Sequence, residues 1–333
     1  MNGDVTLRVA IAGCGLIGGK RAEALGSDVL VGAYDIDHAA SGRLSETFGG
    51  AACRSMEELL ETGPDVVVVS AVHDQLASLS CAALQAGCHV LVEKPAGIGV
   101  ADVDRIRQAA SSAGKMVKVG FNHRFHAGIA RAIAEARSGE FGDVLFLRAR
   151  YGHGGRLGYE KEWRADPARS GGGEIVDQGM HLLDLSYWLF GELPVHSSLL
   201  RTQFWDAPVD DNAVLVLGEP GGVGNRSPWA LLHASWTEWK NMFSLEVTCE
   251  RAKWAVDGLV GSYGAQELRI YRMRPELGPP DVEHVTYPDR DLSWEREWRH
   301  FREAIVSGDS RALLGDLASA RYAWSCIEDA MGR

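Results

Sequence analysis

Leu7-Arg8-Val9-Ala10-Ile11-Ala12-Gly13-Cys14-Gly15-Leu16-Ile17-Gly18 is the stretch on which the fold turns. A short β-type run enters G-x-G-x-x-G, and a helical pattern leaves it from Leu16 to Gly26. The motif alone is weak, but between a strand and a helix it has the context it requires. Gly13 permits the tight turn, Gly15 lets the backbone approach a pyrophosphate, and Gly18 lets helix and strand pack closely. The N–H groups that open the helix, those of Leu16 and Ile17 among them, then face an anion. Asp35 closes a second strand, Val29–Tyr34, 17 residues beyond Gly18. A carboxylate there accepts hydrogen bonds from ribose hydroxyls and repels a 2′-phosphate, so NAD is expected over NADP. The structural alternative is a glycine-rich turn followed by a helix-capping Asp.

Strand and helix patterns alternate from there to residue 121. His38–Phe48 reads as a helix, and Ser55-Met56-Glu57-Glu58 is a capping box that opens a short one. Asp65–Ser70 (DVVVVS) is the β-branched run of a parallel strand buried on both faces. Gln75–Ala86 is helical and ends at Gly87; His89–Val92 is a strand; Asp102–Ala113 is helical and Met116–Val119 a strand. This alternation predicts an α/β Rossmann domain, a doubly wound parallel sheet, over residues 1–121. The pattern then changes. A helix at Ala127–Arg137 precedes strand-like runs at Val144–Tyr151, Ser197–Trp205, Ala213–Leu217, Trp229–Trp236, Phe243–Thr248, Ala252–Asp257 and Leu268–Tyr271. Helical patterns interrupt them at Glu174–Phe190, Trp294–Ser307 and Leu317–Met331. Strands joined to strands by short turns predict an α+β domain over 122–333 with a large, mostly antiparallel open sheet.

A length of 333 residues suits two domains, and 46% hydrophobic with 24% charged residues excludes a disordered or fibrous chain. A net charge of −11 argues against nucleic acid or an anionic membrane as partner. The six cysteines form no C-x-x-C and suit neither a zinc site nor a disulfide scaffold, so reduced, buried thiols are expected. Met1–Leu7 shows no leader pattern, and the longest apolar run, around Val66–Val69, is too short to span a bilayer. A soluble, cytoplasmic protein is the expectation.

Two further segments carry candidate chemistry. Glu93-Lys94-Pro95 places a lysine at the carboxyl end of a parallel strand, where open α/β sheets bind ligands. A solvated loop lysine is the plain alternative. Gly171-Gly172-Gly173 leads into a helix on which Asp177 and His181 stand four residues apart on one face, with Asp184 near it. A carboxylate beside an imidazole fixes its tautomer and raises its basicity. A buried structural histidine and a dipole-favouring aspartate fit the same pattern. A metal reading with His181, Asp177 and Asp184 lacks a further clustered His or Cys, and no metal is expected. The loop Tyr151-Gly152-His153-Gly154-Gly155-Arg156, with Trp163 and Arg164, carries aromatic, imidazole and guanidinium groups suited to stacking on a sugar or gripping an anion. A surface loop of mixed polarity is the alternative. Trp229, Trp236, Trp254 and Phe243 on the later strands suggest an apolar sheet face covered by a second copy, with packing of Trp236 and Trp239 within the sheet as the alternative.

Gly13-x-Gly15-x-x-Gly18, Glu93-Lys94-Pro95 and Gly171-Gly172-Gly173 leading to Asp177-x-x-x-His181-x-x-Asp184, in this order, resemble the Gfo/Idh/MocA family of NAD(P)-dependent oxidoreductases. Glucose–fructose oxidoreductase and inositol 2-dehydrogenase are among its members. The run Ala86–Pro95 is similar to the family's "aGkhVlvEKP". The resemblance implies hydride transfer between nicotinamide and a carbinol carbon of a sugar, a sugar derivative such as a nucleotide-linked one, or a cyclitol. It implies that Lys94 is the active-site lysine, that Asp177 and His181 form the proton-transfer pair, and that the protein is a homodimer or homotetramer. Glu93 and Lys94 border the cofactor on this reading, and Lys94, Arg124, Tyr151, His153, Arg156, Trp163, Asp177 and His181 line the substrate. Ser70, Ala71 and His73 occupy the loop from which the family contacts nicotinamide. There the usual "TPNxxH" is replaced by Ala71-Val72-His73-Asp74-Gln75-Leu76. A redox-assisted lyase or glycosidase, and a non-catalytic NAD-binding protein, are alternatives on the same fold.

Overall fold

The computed structural model describes residues 5–311 and 313–333. It divides into two units. One runs to Asn122 and takes back Trp294–Arg321; the other comprises His123–Ser293 and Tyr322–Arg333.

The first unit follows the expected alternation: β1 (Arg8–Ala12), α1 (Leu16–Glu23), β2 (Val29–Tyr34), α2 (His38–Phe48), β3 (Ala51–Cys53), α3 (Met56–Glu61), β4 (Val66–Val69), α4 (His73–Gln85), β5 (His89–Val92), α5 (Val100–Ala113) and β6 (Val117–Val119). All strand pairs are parallel, in the order β3-β2-β1-β4-β5-β6. The sequence pattern had not marked β3. All four valines of β4 are fully buried, as a central parallel strand requires. The capping box forms: the Ser55 hydroxyl accepts from Glu58 N–H at 3.2 Å, and the Glu58 carboxylate reaches back to Arg54 N–H at 2.7 Å.

The second unit contains α6 (Ala127–Arg137), β7 (Val144–Gly152), α7 (Pro167–Ser170), α8 (Glu174–Asp177), α9 (Gly179–Phe190), β8 (Val195–Arg201), β9 (Asn212–Leu217), β10 (Trp229–Ser235), β11 (Met242–Cys249), β12 (Ala252–Asp257), β13 (Glu267–Arg272) and β14 (Asp281–Thr286). Its eight strands lie in the order β14-β13-β12-β11-β7-β10-β9-β8. β7 and β10 run parallel and every other neighbour is antiparallel. The single helix expected over Glu174–Phe190 is divided at Gln178 into α8 and α9.

The aromatic residues expected on an open face are mostly inside: Trp236, Trp254 and Phe243 are buried, and only Trp229, stacked on Phe146 at 5.1 Å, is exposed. The outward face instead carries cross-strand ion pairs, Arg148–Glu246 at 2.6 Å and Arg272–Glu283 at 2.7 Å among them. Trp236, Trp254 and Phe243 therefore belong to the core side of the sheet and not to an outward face.

The remaining helices, α10 (Ser293–Ser307) and α11 (Leu317–Met331), had been assigned with all of 122–333 to the second domain. The structure returns Trp294–Arg321 to the first unit. The reason is packing: Trp298 and Phe301 of α10 join the core of Val9, Ile11, Leu30 and Leu44. Burying two aromatic side chains is worth about 3–6 kcal/mol. Trp298 Nε1 also donates to the Asp28 carboxylate at 2.9 Å. All six cysteines are free thiols, and all but the half-buried Cys81 are buried. No helix among the described residues is long and apolar enough to cross a membrane.

Candidate active site

In the first unit the three glycines of the turn do different things. Gly13 has φ +99°, and a Cβ there would lie 2.5 Å from the Ser70 backbone. A Cβ on Gly18 would lie 2.1 Å from the Gly13 carbonyl oxygen. Both are glycine because the chain itself comes too close. At Gly15 nothing lies within 4 Å of the Cβ position, and Gly15 caps α1 without a side-chain hydrogen bond. This is an open approach to a helix N-terminus, the feature that admits a diphosphate. Leu16 is exposed and Ile17 half-buried beside it.

The Ser70 hydroxyl fixes the turn by donating to the Gly13 carbonyl at 2.7 Å. Asp35 accepts from Cys14 N–H at 2.7 Å and Asp37 N–H at 2.9 Å, so its carboxylate is held at the end of β2 before any ligand arrives. Burial, then the charge of Asp35, push the Cys14 thiol up to about 12, which keeps it neutral. Asp37 caps α2 through Ala39 N–H at 3.0 Å. These residues fit a dinucleotide.

Ala71 is half-buried after β4, His73 is buried at the start of α4, and Lys94 is half-buried after β5. Glu93 is different from the expectation. Its carboxylate is buried on Arg21, with Nε at 2.6 Å. Burial pushes the Glu93 carboxyl above its ordinary range while Arg21 works against that rise. Arg21 also holds Glu297 at 2.7 Å, and Glu297 holds Lys118 at 3.2 Å. Two cations and two carboxylates therefore form a buried, neutral quartet beneath the lysine turn.

In the second unit the Gly171–Gly173 turn is shaped by another chain segment. A Cβ on Gly173 would lie 2.0 Å from the Asp210 carbonyl oxygen. The buried Asp210 carboxylate accepts from Gly173 N–H at 3.1 Å and Ile175 N–H at 2.8 Å, which fixes the start of α8. Burial pushes Asp210 up to about 6, with those two N–H donors pulling it down.

From α8, Asp177 meets Arg164 Nε at 3.3 Å. Arg164 also approaches Glu162 at 3.6 Å, and its guanidinium lies 4.6 Å from the Trp163 ring. Burial opposes the charge on Arg164, but Asp177, Tyr159 and Glu162 hold its pKa above the usual value. Arg156 binds Glu162 at 2.6 Å. Both arginines suggested as anion grips therefore have carboxylate partners.

His153, buried Glu174 and Asp177 bring donor atoms within 4.8 Å of one another. Such a trio has metal-ligand chemistry, yet His153 Nδ1 accepts from Gly155 N–H at 2.9 Å. That bond leaves the proton on Nε2, so the ring is set to donate rather than to ligate. Burial first, and the charges of Asp177 and Glu174 among the further causes, raise the phenol pKa of Tyr151, of Tyr159 and of Tyr263, the last to about 12.

His181 is buried on α9, its ring 3.8 Å from that of His123 and 6.0 Å from that of Tyr151. Tyr263 lies 5.3 Å from Tyr151 and accepts from Gln178 Nε2 at 3.2 Å. Arg124, expected at the substrate, has a carboxylate partner within its own unit. Its guanidinium forms a buried two-pronged pair with Asp184 at 2.8 and 2.6 Å, which also removes Asp184 from any metal set. Glu174, His123 and Tyr263 were not singled out from the sequence. Glu174 opens the expected Glu174–Phe190 helix, His123 precedes Arg124, and Tyr263 closes the one-turn helix Gly261–Tyr263, which carries no motif.

A Rossmann unit with a prepared dinucleotide turn, followed by a mixed-sheet unit gathering acid, imidazole and phenol groups, defines the two-domain dinucleotide-dependent oxidoreductase architecture. Two family models match in that order: "Oxidoreductase family, NAD-binding Rossmann fold" over residues 7–121 and "GFO/IDH/MocA C-terminal domain" over 129–255. The chain belongs to the Gfo/Idh/MocA family. It is similar to glucose-6-phosphate 3-dehydrogenase of Bacillus subtilis, 28% identical over 55% of this chain and 53% of that protein. It is also similar to D-glucoside 3-dehydrogenase of Escherichia coli, 29% identical over 56% of this chain and 54% of that protein. The chain thus spans about half the length of these curated relatives. The crystal structure of an inositol dehydrogenase homolog complexed with NAD+ from Azotobacter vinelandii shares the fold, with TM-score 0.81, 22% identity, and coverage of 99% of this chain and 96% of that one.

Proposed function

We propose that the protein is an NAD-dependent oxidoreductase acting on a carbinol or keto carbon of a sugar, sugar derivative or cyclitol. The observation that carries this reading is the open Cβ direction at Gly15 beside an Asp35 carboxylate already held by Cys14 N–H. Gly13, Gly15 and Gly18 with the first N–H groups of α1 would hold the diphosphate, and Asp35 the ribose diol, with preference for NAD over NADP. When bound, the nicotinamide supplies the carbon that takes up or returns hydride. His181 exchanges the substrate hydroxyl proton, and Asp177 contributes negative charge that favours the imidazolium. Lys94, at the carboxyl end of β5, is the active-site lysine on this reading, a cation of the kind that stabilises alkoxide character. The likeness to sugar and glucoside dehydrogenases supports a carbohydrate substrate. A panel of sugars, glycosides and inositols, followed by NADH absorbance, tests the reading. His181→Ala should lower turnover by about 10²–10⁴-fold with NAD affinity nearly unchanged. Full turnover in a folded His181→Ala protein would make that histidine structural.

A further inference from the structure

The second unit also carries an aromatic surface that the proton-exchange groups leave unused. Phe204 and Trp239 are 60% and 67% exposed. Their rings meet edge to face at 4.8 Å. Phe204 meets Trp205 at 5.2 Å, Trp205 meets Tyr159 at 5.8 Å, and Tyr159 meets His153 at 5.6 Å. A continuous run of rings therefore leads from the exposed Trp239 to the imidazole that lies with Glu174 and Asp177. The backbone accommodates it. A Cβ on Gly154 would lie 3.1 Å from the Trp239 ring, and one on Gly155 would lie 2.7 Å from Trp205. Trp205 is fixed by its Nε1, which donates to the Trp236 carbonyl at 3.1 Å. Exposed aromatic groups held in a fixed arrangement next to a polar cluster mark a ligand surface.

The charges say what the polar end accepts. Glu162, Glu174 and Asp177 outnumber Arg156 and Arg164, and each of these arginines is paired with a carboxylate. Burial first, and the charges of Glu174 and Asp177 among the lesser causes, raise the phenol pKa of three surrounding tyrosines. A phosphate or a uronate would be repelled there. Neutral hydroxyls, which donate to carboxylates and accept from the His153 N–H, would not.

On the functional reading above, we infer that the substrate is an uncharged pyranoside with an apolar ring as aglycone. Its sugar hydroxyls meet His153 and Asp177, with the buried Glu174 behind them, and its aglycone rests on Trp205, Phe204 and Trp239. This departs from a nucleotide-linked or phosphorylated sugar.

The test compares NADH production from phenyl and methyl glucosides of both anomers, cellobiose and glucose 6-phosphate. It is joined by calorimetric binding of phenyl glucoside to the NAD-loaded protein. The expected kcat/KM for phenyl glucoside exceeds that for methyl glucoside about tenfold, as one stacked ring contributes. In Phe204→Ala/Trp239→Ala that ratio should fall toward one, and in calorimetry phenyl glucoside should lose a similar factor in affinity. Glucose 6-phosphate should be the poorest substrate.

An unchanged ratio in the double variant overturns the inference. So does equal use of glucose 6-phosphate, or a preference for cellobiose over phenyl glucoside. A change of sedimentation coefficient in the double variant also overturns it, because a second copy would then cover the rings. If no sugar yields NADH, the oxidoreductase reading fails. Loss of phenyl glucoside binding in the double variant would still uphold the ligand surface, and its absence would refute it.

Discussion

Glu297→Gln should be among the most damaging single changes in the first unit, although Glu297 lies more than 200 residues from the motifs that define it. Arg21, Lys118 and Glu297 are 1%, 0% and 0% exposed, and Glu93 is 7% exposed. Their two positive and two negative charges balance only as a set. Glu297 serves two cations, Arg21 at 2.7 Å and Lys118 at 3.2 Å. Its neutralisation leaves an uncompensated buried charge, a change that typically costs about 3–5 kcal/mol. Two partners place this site at the upper end of that range.

Lys118→Met with Glu297→Gln removes one charge of each sign and keeps the Arg21–Glu93 pair. The double variant should therefore lose less than the sum of the singles, by about 1–3 kcal/mol. Urea unfolding of the three variants measures the losses, and hydrogen exchange over residues 117–121 and 294–307 locates them. A Glu297→Gln loss below about 1 kcal/mol, or additive singles, would refute the quartet as a coupled unit.

Gly15→Ala should fold with near-native stability and lose NAD affinity, because its Cβ enters open space. Gly18→Ala should instead destabilise by about 1–3 kcal/mol, because its Cβ meets the Gly13 carbonyl; denaturation and NAD titration of both variants separate the two roles. Asp35→Ala should weaken NAD binding and relax discrimination against NADP, and tighter NADP than NAD binding in the unmodified protein would overturn the preference. The Asp210 carboxyl, raised from 3.8 to about 6, takes up its proton in the folded chain before the unfolded one does. Stability should therefore rise as pH falls through 6, by about 1 kcal/mol between pH 7 and pH 5 from this group, and level off below the unfolded value. Asp210→Asn should flatten that slope in urea midpoints.

What the sequence could convey follows from how far each signal reaches. The unbroken Val66–Val69 run and the glycines at 13, 15 and 18 are local, and they fixed the first sheet. Strand parity is local too: Phe243, Leu245 and Val247 alternate as one face. Alternation does not say which face meets the core: Trp254 belongs inside and not on the outward face expected of it, while Trp239, for which packing within the sheet is the expectation, is 67% exposed. The helical period of α10 could not reveal which unit would bury Trp298. The choice depends on a core assembled from Val9, Ile11 and Leu30, far earlier in the chain. The site shows the same limit. Spacing of four brought Asp177 and His181 to attention, but Gln178 interrupts the helix between them. The charges that define their surroundings come from Arg164 and from Asp184's partner Arg124, 13 and 60 residues away along the chain. An arginine in a loop reads as an anion grip until its own carboxylate is located. That partner, which only the fold supplies, is what the proposal of a neutral glycoside over a phosphorylated sugar rests on.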